Sequence, residues 1–271
     1  MNILFVGDVV GRPGRRAVRA LLPSLVEKYA IDFTLANGEN AAGGMGITVA
    51  VARELLEAGV QVVTLGNHVW KHKEGAQAVE HETRLIRPAN YPPGVPGRGQ
   101  GIFASGKGTK VAVLNLCGRT FMEAIDCPFR AAAEAVERLR EQARIVVVDM
   151  HAEATSEKQA MGYFLDGKAS AIIGTHTHVQ TADERLLPKG TAYITDVGMT
   201  GPRDSIIGME PEGIMVRFVS RLPAKFDVAR GPVALSAVVI AVNEDTGLAE
   251  NIFRVQEQVE PSLIAEDAAG E

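Results

Sequence analysis

Cysteine is scarce in this chain. Its 271 residues include two, Cys117 and Cys127, and neither stands in a CxxC pair. That excludes a disulfide framework and fits a reducing compartment, so a cytoplasmic protein with buried or inert thiols is expected. An excess of positive charge is missing too. Twenty-eight Lys and Arg stand against 33 Asp and Glu, for a formal net charge of −5. Stable nucleic-acid binding, which rests on neutralising many phosphates, is therefore not expected, whereas a nucleotide held through metal ions is compatible with this balance. No apolar run reaches the roughly 18 residues of a membrane span, so no membrane partner is expected. The opening MNILFVGDVVGRPGRR has no positive n-region and meets Asp8 after a short apolar run. It reads as a first strand rather than a signal peptide. Hydrophobic residues at 46% against 23% charged supply a sizeable core, and the length suits one domain over 1–271.

What the chain does have is a series of short apolar runs ending in glycine or a polar residue. They are NILFVGD, DFTLANGEN, VQVVTLGNH, KVAVLNLCG, ARIVVVDMH, ASAIIGTH and TAYITDVG. Their β-branched content predicts strands buried on both faces. Helical patterns lie between several of them, over 14–29, 48–58, 128–142 and 155–165. In the first, Val18, Leu21, Leu22, Leu25 and Val26 share one face while Arg15, Arg16 and Arg19 begin the polar side. Pro128 opens another at a favoured first-turn position. Such alternation predicts an α/β core with many parallel strands. The last quarter reads instead as strands without helices: GIMVRFVS, AKFDVA, VALSAVVIAVN and LAENIFRVQEQ, with NEDTG as a hairpin turn. Antiparallel pairing in a second sheet is the expectation there. The stretch ANYPPGVPGRGQG reads as an irregular surface loop, and 260–271 as a frayed tail.

Histidine is also rare, with six in the chain, yet His176 and His178 stand one residue apart in GTHTHV. In extended chain such residues point the same way. Two imidazoles held together repel once protonated, so the pattern suits neutral rings beside a cation. The other strand ends carry matching chemistry. After ILFV comes Asp8; after FTLA come Asn37, Glu39 and Asn40; after VVTL come Asn67 and His68; after IVVV come Asp149 and His151. In α/β sheets ligands bind at that edge, and an adjacent glycine lets the backbone turn sharply. Carboxylates, carboxamides and imidazoles without a thiolate suit a hydrolytic Fe, Mn or Zn centre. The candidates outnumber the three or four protein ligands of one catalytic ion, and two ions sharing a carboxylate would use them.

The motifs GD at 7–8, GEN at 38–40, GNH at 66–68, the strand end at His151 and GTHTH at 174–178 resemble, in order, those of calcineurin-like metallophosphoesterases. Val10 stands where that family has a histidine, and Gly38-Glu39-Asn40 replaces its Gly-Asp-x-x-Asp. These departures, with TDVGMTGPRDSIIG at 195–208, are similar to the YmdB-type branch of cyclic-nucleotide phosphodiesterases. The resemblance implies a four-layer α-β-β-α sandwich of two mixed sheets flanked by helices. It further implies two divalent or trivalent transition-metal ions per chain. Asp8, Glu39, Asn40 and His178 are then expected around one ion, and Glu39, Asn67, His151 and His176 around the other. Glu39 bridges, and Asn40 stands in for the missing first-motif histidine. The implied reaction is hydrolysis of 2′,3′- or 3′,5′-cyclic nucleotides by a hydroxide between the ions. Asn67 and His68 are the expected substrate contacts, and His68 the general acid; a structural role for His68 beside Asn67 is the alternative. Two other functions stay open, a phosphomonoesterase of broad specificity and a metal-binding regulatory module without turnover. Asp149 either orients His151 or faces away from it. His72 and His81 read as solvated surface histidines. The loop 198–213, with Arg203, Ile206, Ile207 and Met209, shapes the pocket or meets another subunit, and a homo-oligomer (dimer or tetramer) is expected.

Overall fold

The apolar run at the start of the chain forms β1 (Asn2–Val6), followed by the two-residue β2 (Asp8–Val9) and α1 (Gly11–Lys28). The structure, a computed structural model, describes residues 1–260; the expected frayed tail falls, from 261 onward, outside the described residues. β3 (Phe33–Asn37), α2 (Val49–Glu57), β4 (Val62–Thr64), α3 (Gly75–His81) and β5 (Leu85–Ile86) continue the alternation. Thr48 caps α2, its hydroxyl accepting from the Val51 amide at 3.3 Å. β1, β3, β4 and β5 lie parallel in that order.

The middle of the chain builds the second sheet. Its elements are β6 (Gln100–Ala104), β7 (Lys110–Cys117), α4 (Pro128–Arg140), β8 (Ile145–His151), α5 (Thr155–Phe164), β9 (Ala171–Thr175), β10 (Arg185–Leu186) and β11 (Ala192–Ile194). The strand order is β10-β11-β9-β8-β7-β6. The inner four are parallel, and an antiparallel strand closes each edge. β12 (Met199–Pro202), α6 (Pro211–Ser220), β13 (Val233–Val242) and β14 (Ala249–Gln258) follow. β13 pairs antiparallel with β1 from Asn2↔Ala241 to Val6↔Ala237. The first sheet therefore runs β2-β12-β13-β1-β3-β4-β5, with β14 on β13.

Strand alternation sorts the side chains into three apolar layers. Leu4, Val6, Val63 and Leu235 face α1 and α2, where Val18, Leu22, Leu25 and Leu55 cover them. Ile3, Phe5, Leu35 and Val62 face Val111, Val147 and Ile173 of the second sheet. Leu114, Val146 and Val148 face Val136, Leu139 and Met161 of α4 and α5. The four-layer α-β-β-α sandwich is thus present. Each fully buried aliphatic contributes about 1.5–3 kcal/mol by transfer, and the central layer locks the two sheets face to face. No helix of the described residues is long and apolar enough to cross a membrane.

Four readings from the sequence need correction. GIMVRFVS is helical, as part of α6, because Pro211 sits in its first turn and only Ile214 is buried. A strand there would need alternating burial, and AKFDVA makes only the single bridge Met209↔Val228. β13 and β14 do pair antiparallel around the NEDTG turn, but they extend the first sheet rather than forming a second. The irregular stretch over 89–101 ends in β6 from Gln100.

Candidate metal centre

Both sheets deliver their C-terminal strand ends to one place. Glu39 Oε1 from the first sheet lies 3.1 Å from His151 Nε2 of the second, and His151 Nε2 is 3.2 Å from Asn67 Oδ1 and 3.0 Å from His176 Nδ1. His178 Nε2 stands 3.8 Å from Asp8 Oδ1 and 3.0 Å from Asn40 Nδ2. Ligand atoms of Glu39, His151 and His176 all fall within 4.8 Å of one another. All seven expected ligands, Asp8, Glu39, Asn40, Asn67, His151, His176 and His178, are therefore brought together. Gly66 makes room for them: a Cβ there would sit 2.2 Å from Glu39 Oε2 and 2.3 Å from His151 Nε2.

The hydrogen-bond network turns one nitrogen of each imidazole inward. Asp149 Oδ1 takes the hydroxyl proton of Thr175 at 2.6 Å, so Thr175 Oγ1 accepts from His151 Nδ1 at 2.9 Å and His151 Nε2 is the nitrogen left facing the cluster. Glu153 Oε2 lies 3.2 Å from His176 Nε2, which leaves Nδ1 facing His151. The Ile207 carbonyl accepts from His178 Nδ1 at 2.9 Å, which leaves Nε2 facing Asp8 and Asn40. Three ring nitrogens and two carboxylates converge on one volume, where a metal ion would replace the charge that a proton on His151 supplies in its absence. Asp8 Oδ1 is buried with no hydrogen-bond partner. This donor set fits a metal ion: nitrogen and oxygen ligands, pre-turned, with a buried orphan oxygen.

The protonation equilibria follow from that crowding. Burial pushes the Asp8 carboxyl up to about 6. For Glu39 burial, the largest cause, acts in the same direction, but His151 and His68 together outweigh it and hold the carboxyl well below the usual range. Burial opposes charge on His151, yet the Glu39 carboxylate lifts its imidazole to about 9. His176 is pushed down to about 3 by burial and then by His151.

The approach to the two histidines differs from the extended chain read in GTHTHV. β9 ends at Thr175, and His176 and His178 have φ of 96° and 65°. Positive φ costs about 1–3 kcal/mol for a residue other than glycine and persists only where neighbours fix it. The rings converge through a turn, not through strand alternation. Asp149 does orient His151: two residues apart on β8, they share a face, and Asp149 also accepts from Asn37 at 2.9 Å and Thr64 at 2.5 Å. His68 is partly exposed, with Nδ1 2.8 Å from Asn40 Oδ1 and 3.2 Å from Glu39 Oε1. His81 is exposed as expected, but His72 is half-buried, its Nε2 3.1 Å from the Ala42 carbonyl. In the loop 198–213, Met209 is buried in the molecule's own interior beside Gly44. Glu153, Thr175 and Asp196 were not among the site residues expected from the sequence, although Thr175 stands inside GTHTH and Asp196 inside TDVGMTGPRDSIIG.

Residues 4–255 match a family described as YmdB-like protein. The chain belongs to the YmdB-like family. A relative from Bacillus subtilis (strain 168), named 2′,3′-cyclic-nucleotide 2′-phosphodiesterase, is 50% identical over 255 residues, covering 94% of this chain and 96% of the relative. A solved structure from Mycoplasma pneumoniae, described as a novel phosphatase, superposes with a TM-score of 0.89 at 34% identity, covering 100% of this chain and 98% of that one. The Bacillus subtilis calcineurin-like phosphoesterase YfkN superposes with a TM-score of 0.54 at 11% identity, over 98% of this chain and 91% of that one. That last likeness establishes a shared fold for the family and the calcineurin-like phosphoesterases.

Proposed function

We propose that this family member is a metal-dependent phosphoric ester hydrolase, a phosphodiesterase for cyclic nucleotides of the 2′,3′- or 3′,5′-type. The observation that carries the reading is the convergence of seven nitrogen and oxygen ligands from both sheets around the orphaned Asp8 Oδ1, in a chain half identical to a named cyclic-nucleotide phosphodiesterase. Asp8, Glu39, Asn40 and His178 would hold one transition-metal ion (Fe, Mn or Zn), and Glu39, Asn67, His151 and His176 a second. Such ions supply positive charge to the phosphate oxygens and acidify water. The chain's own part is to fix three imidazole tautomers and to move a proton. With Nδ1 of His68 held by Asn40 and Glu39, proton delivery to the leaving oxygen falls to Nε2. Asn67 and His68 face the substrate.

The phosphomonoesterase alternative draws support from the phosphatase description of the Mycoplasma pneumoniae structure. A monoester carries a second phosphate charge, and among the described residues no Lys or Arg pairs with any of the seven ligands or His68. That favours the diester. Bis- and mono-p-nitrophenyl phosphate assayed with added Mn²⁺ separate the readings. Turnover of the diester alone is expected; turnover of the monoester alone would favour the phosphatase, and of neither a regulatory module.

Metal uptake should depend on pH with a defined sign. A metal takes a neutral imidazole, and His151 is charged up to about 9 in the metal-free chain because of Glu39, against the effect of burial. Mn²⁺ affinity measured by calorimetry should therefore rise about tenfold per pH unit from roughly 7 to 9. Below about 6 the slope should steepen, because burial keeps Asp8 protonated there. A flat profile across 6–9 would contradict the placement of His151 among the ligands.

The proposal extends to assembly and location. Phe218 and Val219 of α6 are 72% and 77% exposed, beside the exposed Met215, Val216 and Leu222, an apolar face that supports a homo-oligomer, dimer or tetramer. Sedimentation of Phe218→Glu should report a smaller species than the parent; identical sedimentation of both would remove α6 from the contact. Two free thiols support a cytoplasmic setting, and a single domain over 1–271 is the organisation this reading assumes.

A further inference from the structure

We infer that Asp196, neutralised by Lys158, is a positioning residue that holds His176, His178 and Asp8 in register; the inference rests on the metal-centre reading above. Asp196 and Lys158 are both buried, at 0% and 1% exposure, and Lys158 Nζ lies 2.8 Å from Asp196 Oδ2. A buried pair of this kind is a poor source of net stability, since desolvation offsets most of the attraction. Its geometry gives it another use.

Asp196 Oδ2 also accepts from the backbone amide of Thr177 at 3.0 Å and from its hydroxyl at 2.6 Å. Thr177 is the residue between two histidines that both stand at positive φ. Fixing its amide and its hydroxyl from one carboxylate oxygen sets the conformation of the turn that carries both rings. The other oxygen, Oδ1, accepts from the Gly198 amide at 2.8 Å. The Gly198 carbonyl in turn accepts from the Asp8 amide at 3.0 Å. That approach is close enough that a Cβ on Gly7 would lie 2.0 Å from the same carbonyl oxygen. Met199 then pairs with Asp8 in β2–β12 and donates to the His178 carbonyl at 3.1 Å. One carboxylate thus ties the β9 turn of the second sheet to the Asp8 strand of the first.

Lys158 reaches Asp196 from α5 past the end of β9: a Cβ on Gly174 would meet Lys158 Cδ at 3.0 Å and the Thr195 carbonyl at 1.7 Å. Its ammonium donates to Oδ2 at 2.8 Å beside the two Thr177 donors, so the buried oxygen has its hydrogen-bonding capacity filled. Asp196 stands in the TDVG stretch at 195–198, but Lys158 stands 38 positions before it, so the pairing itself has no local sequence signature.

Mn²⁺ titration of Asp196→Asn and Thr177→Val, beside thermal unfolding of the metal-free proteins, tests the role. At a temperature where the metal-free variants remain folded by circular dichroism, Asp196→Asn should bind Mn²⁺ about 10- to 100-fold more weakly than the parent. Thr177→Val, which removes only the hydroxyl contact and keeps the fold's charges, should weaken binding in the same direction by a smaller factor. If Asp196→Asn does not fold, Thr177→Val decides the question alone. A merely structural pair would lower the unfolding temperature and leave Mn²⁺ affinity unchanged in every folded variant, and that result would overturn the inference. Failure of the parent protein itself to bind Mn²⁺ would overturn the metal-centre reading and this inference with it.

Discussion

Glu39→Gln is expected to empty both metal positions at once. Its carboxylate is fully buried, with Oε1 3.1 Å from His151 and 3.2 Å from His68, and Oε2 accepts the His68 amide at 3.1 Å. In the proposed assignment it is the one side chain shared by both ions. The amide keeps the shape and removes the charge, so two dications lose their common counter-ion. Metal analysis of the purified variant should fall from two equivalents to below one. Diester turnover should drop roughly 10³-fold, since metal charge supplies several kcal/mol of transition-state stabilisation and each 1.36 kcal/mol is a factor of ten. Asn40→Ala, which removes a neutral ligand, should cost less on both measures. Two tightly held equivalents in Glu39→Gln would contradict the bridging role.

The cluster was legible because its members stand at, or within a few residues beyond, the ends of aliphatic runs, where burial forces the strand and polar residues mark its end. Asp8, Glu39, Asn67, His151 and His176 could be read in this way without any knowledge of how the strands pair. The α/β core was legible on the same ground, through the alternation of those runs with amphipathic stretches such as the one that forms α1, whereas the four-layer sandwich followed from the family resemblance. Pairing was not. Nothing local in VALSAVVIAVN states that it lies against β1, because the register from Asn2↔Ala241 to Val6↔Ala237 joins segments more than 200 residues apart. α6 misled because MVRFV has the β-branched and aromatic residues of a strand, while Pro211 and an exposed position let it wind as a helix. The partners that turn the imidazoles escaped notice for a related reason. Glu153 and the Ile207 carbonyl reach His176 and His178 from distant parts of the chain, and a carbonyl has no sequence signature at all.

His68→Ala should separate chemistry from scaffolding. If Nε2 protonates the departing alkoxide, the contribution is made in the transition state, and kcat on a cyclic nucleotide should fall by roughly 10²–10⁴. Bound metal should stay near two equivalents, because in this assignment His68 contacts Glu39 and Asn40 without ligating. The leaving group gives an independent reading. A nitrophenolate departs readily unprotonated, whereas a ribose alkoxide is strongly basic, so the defect should be larger for the cyclic nucleotide than for bis-p-nitrophenyl phosphate. An equal loss on both substrates would instead assign His68 to positioning, through its 2.8 Å contact with Asn40. Loss of metal from the variant would make it a ligand.

The central claim is that strand ends from both sheets form one dinuclear centre around Glu39. Anomalous scattering at the Fe, Mn and Zn edges from crystals of the metal-loaded protein addresses it directly. Two peaks are predicted on either side of the Glu39 carboxylate, one beside Asp8 and His178, the other beside Asn67, His151 and His176. A single peak, or any peak whose ligands exclude Glu39, would contradict the account.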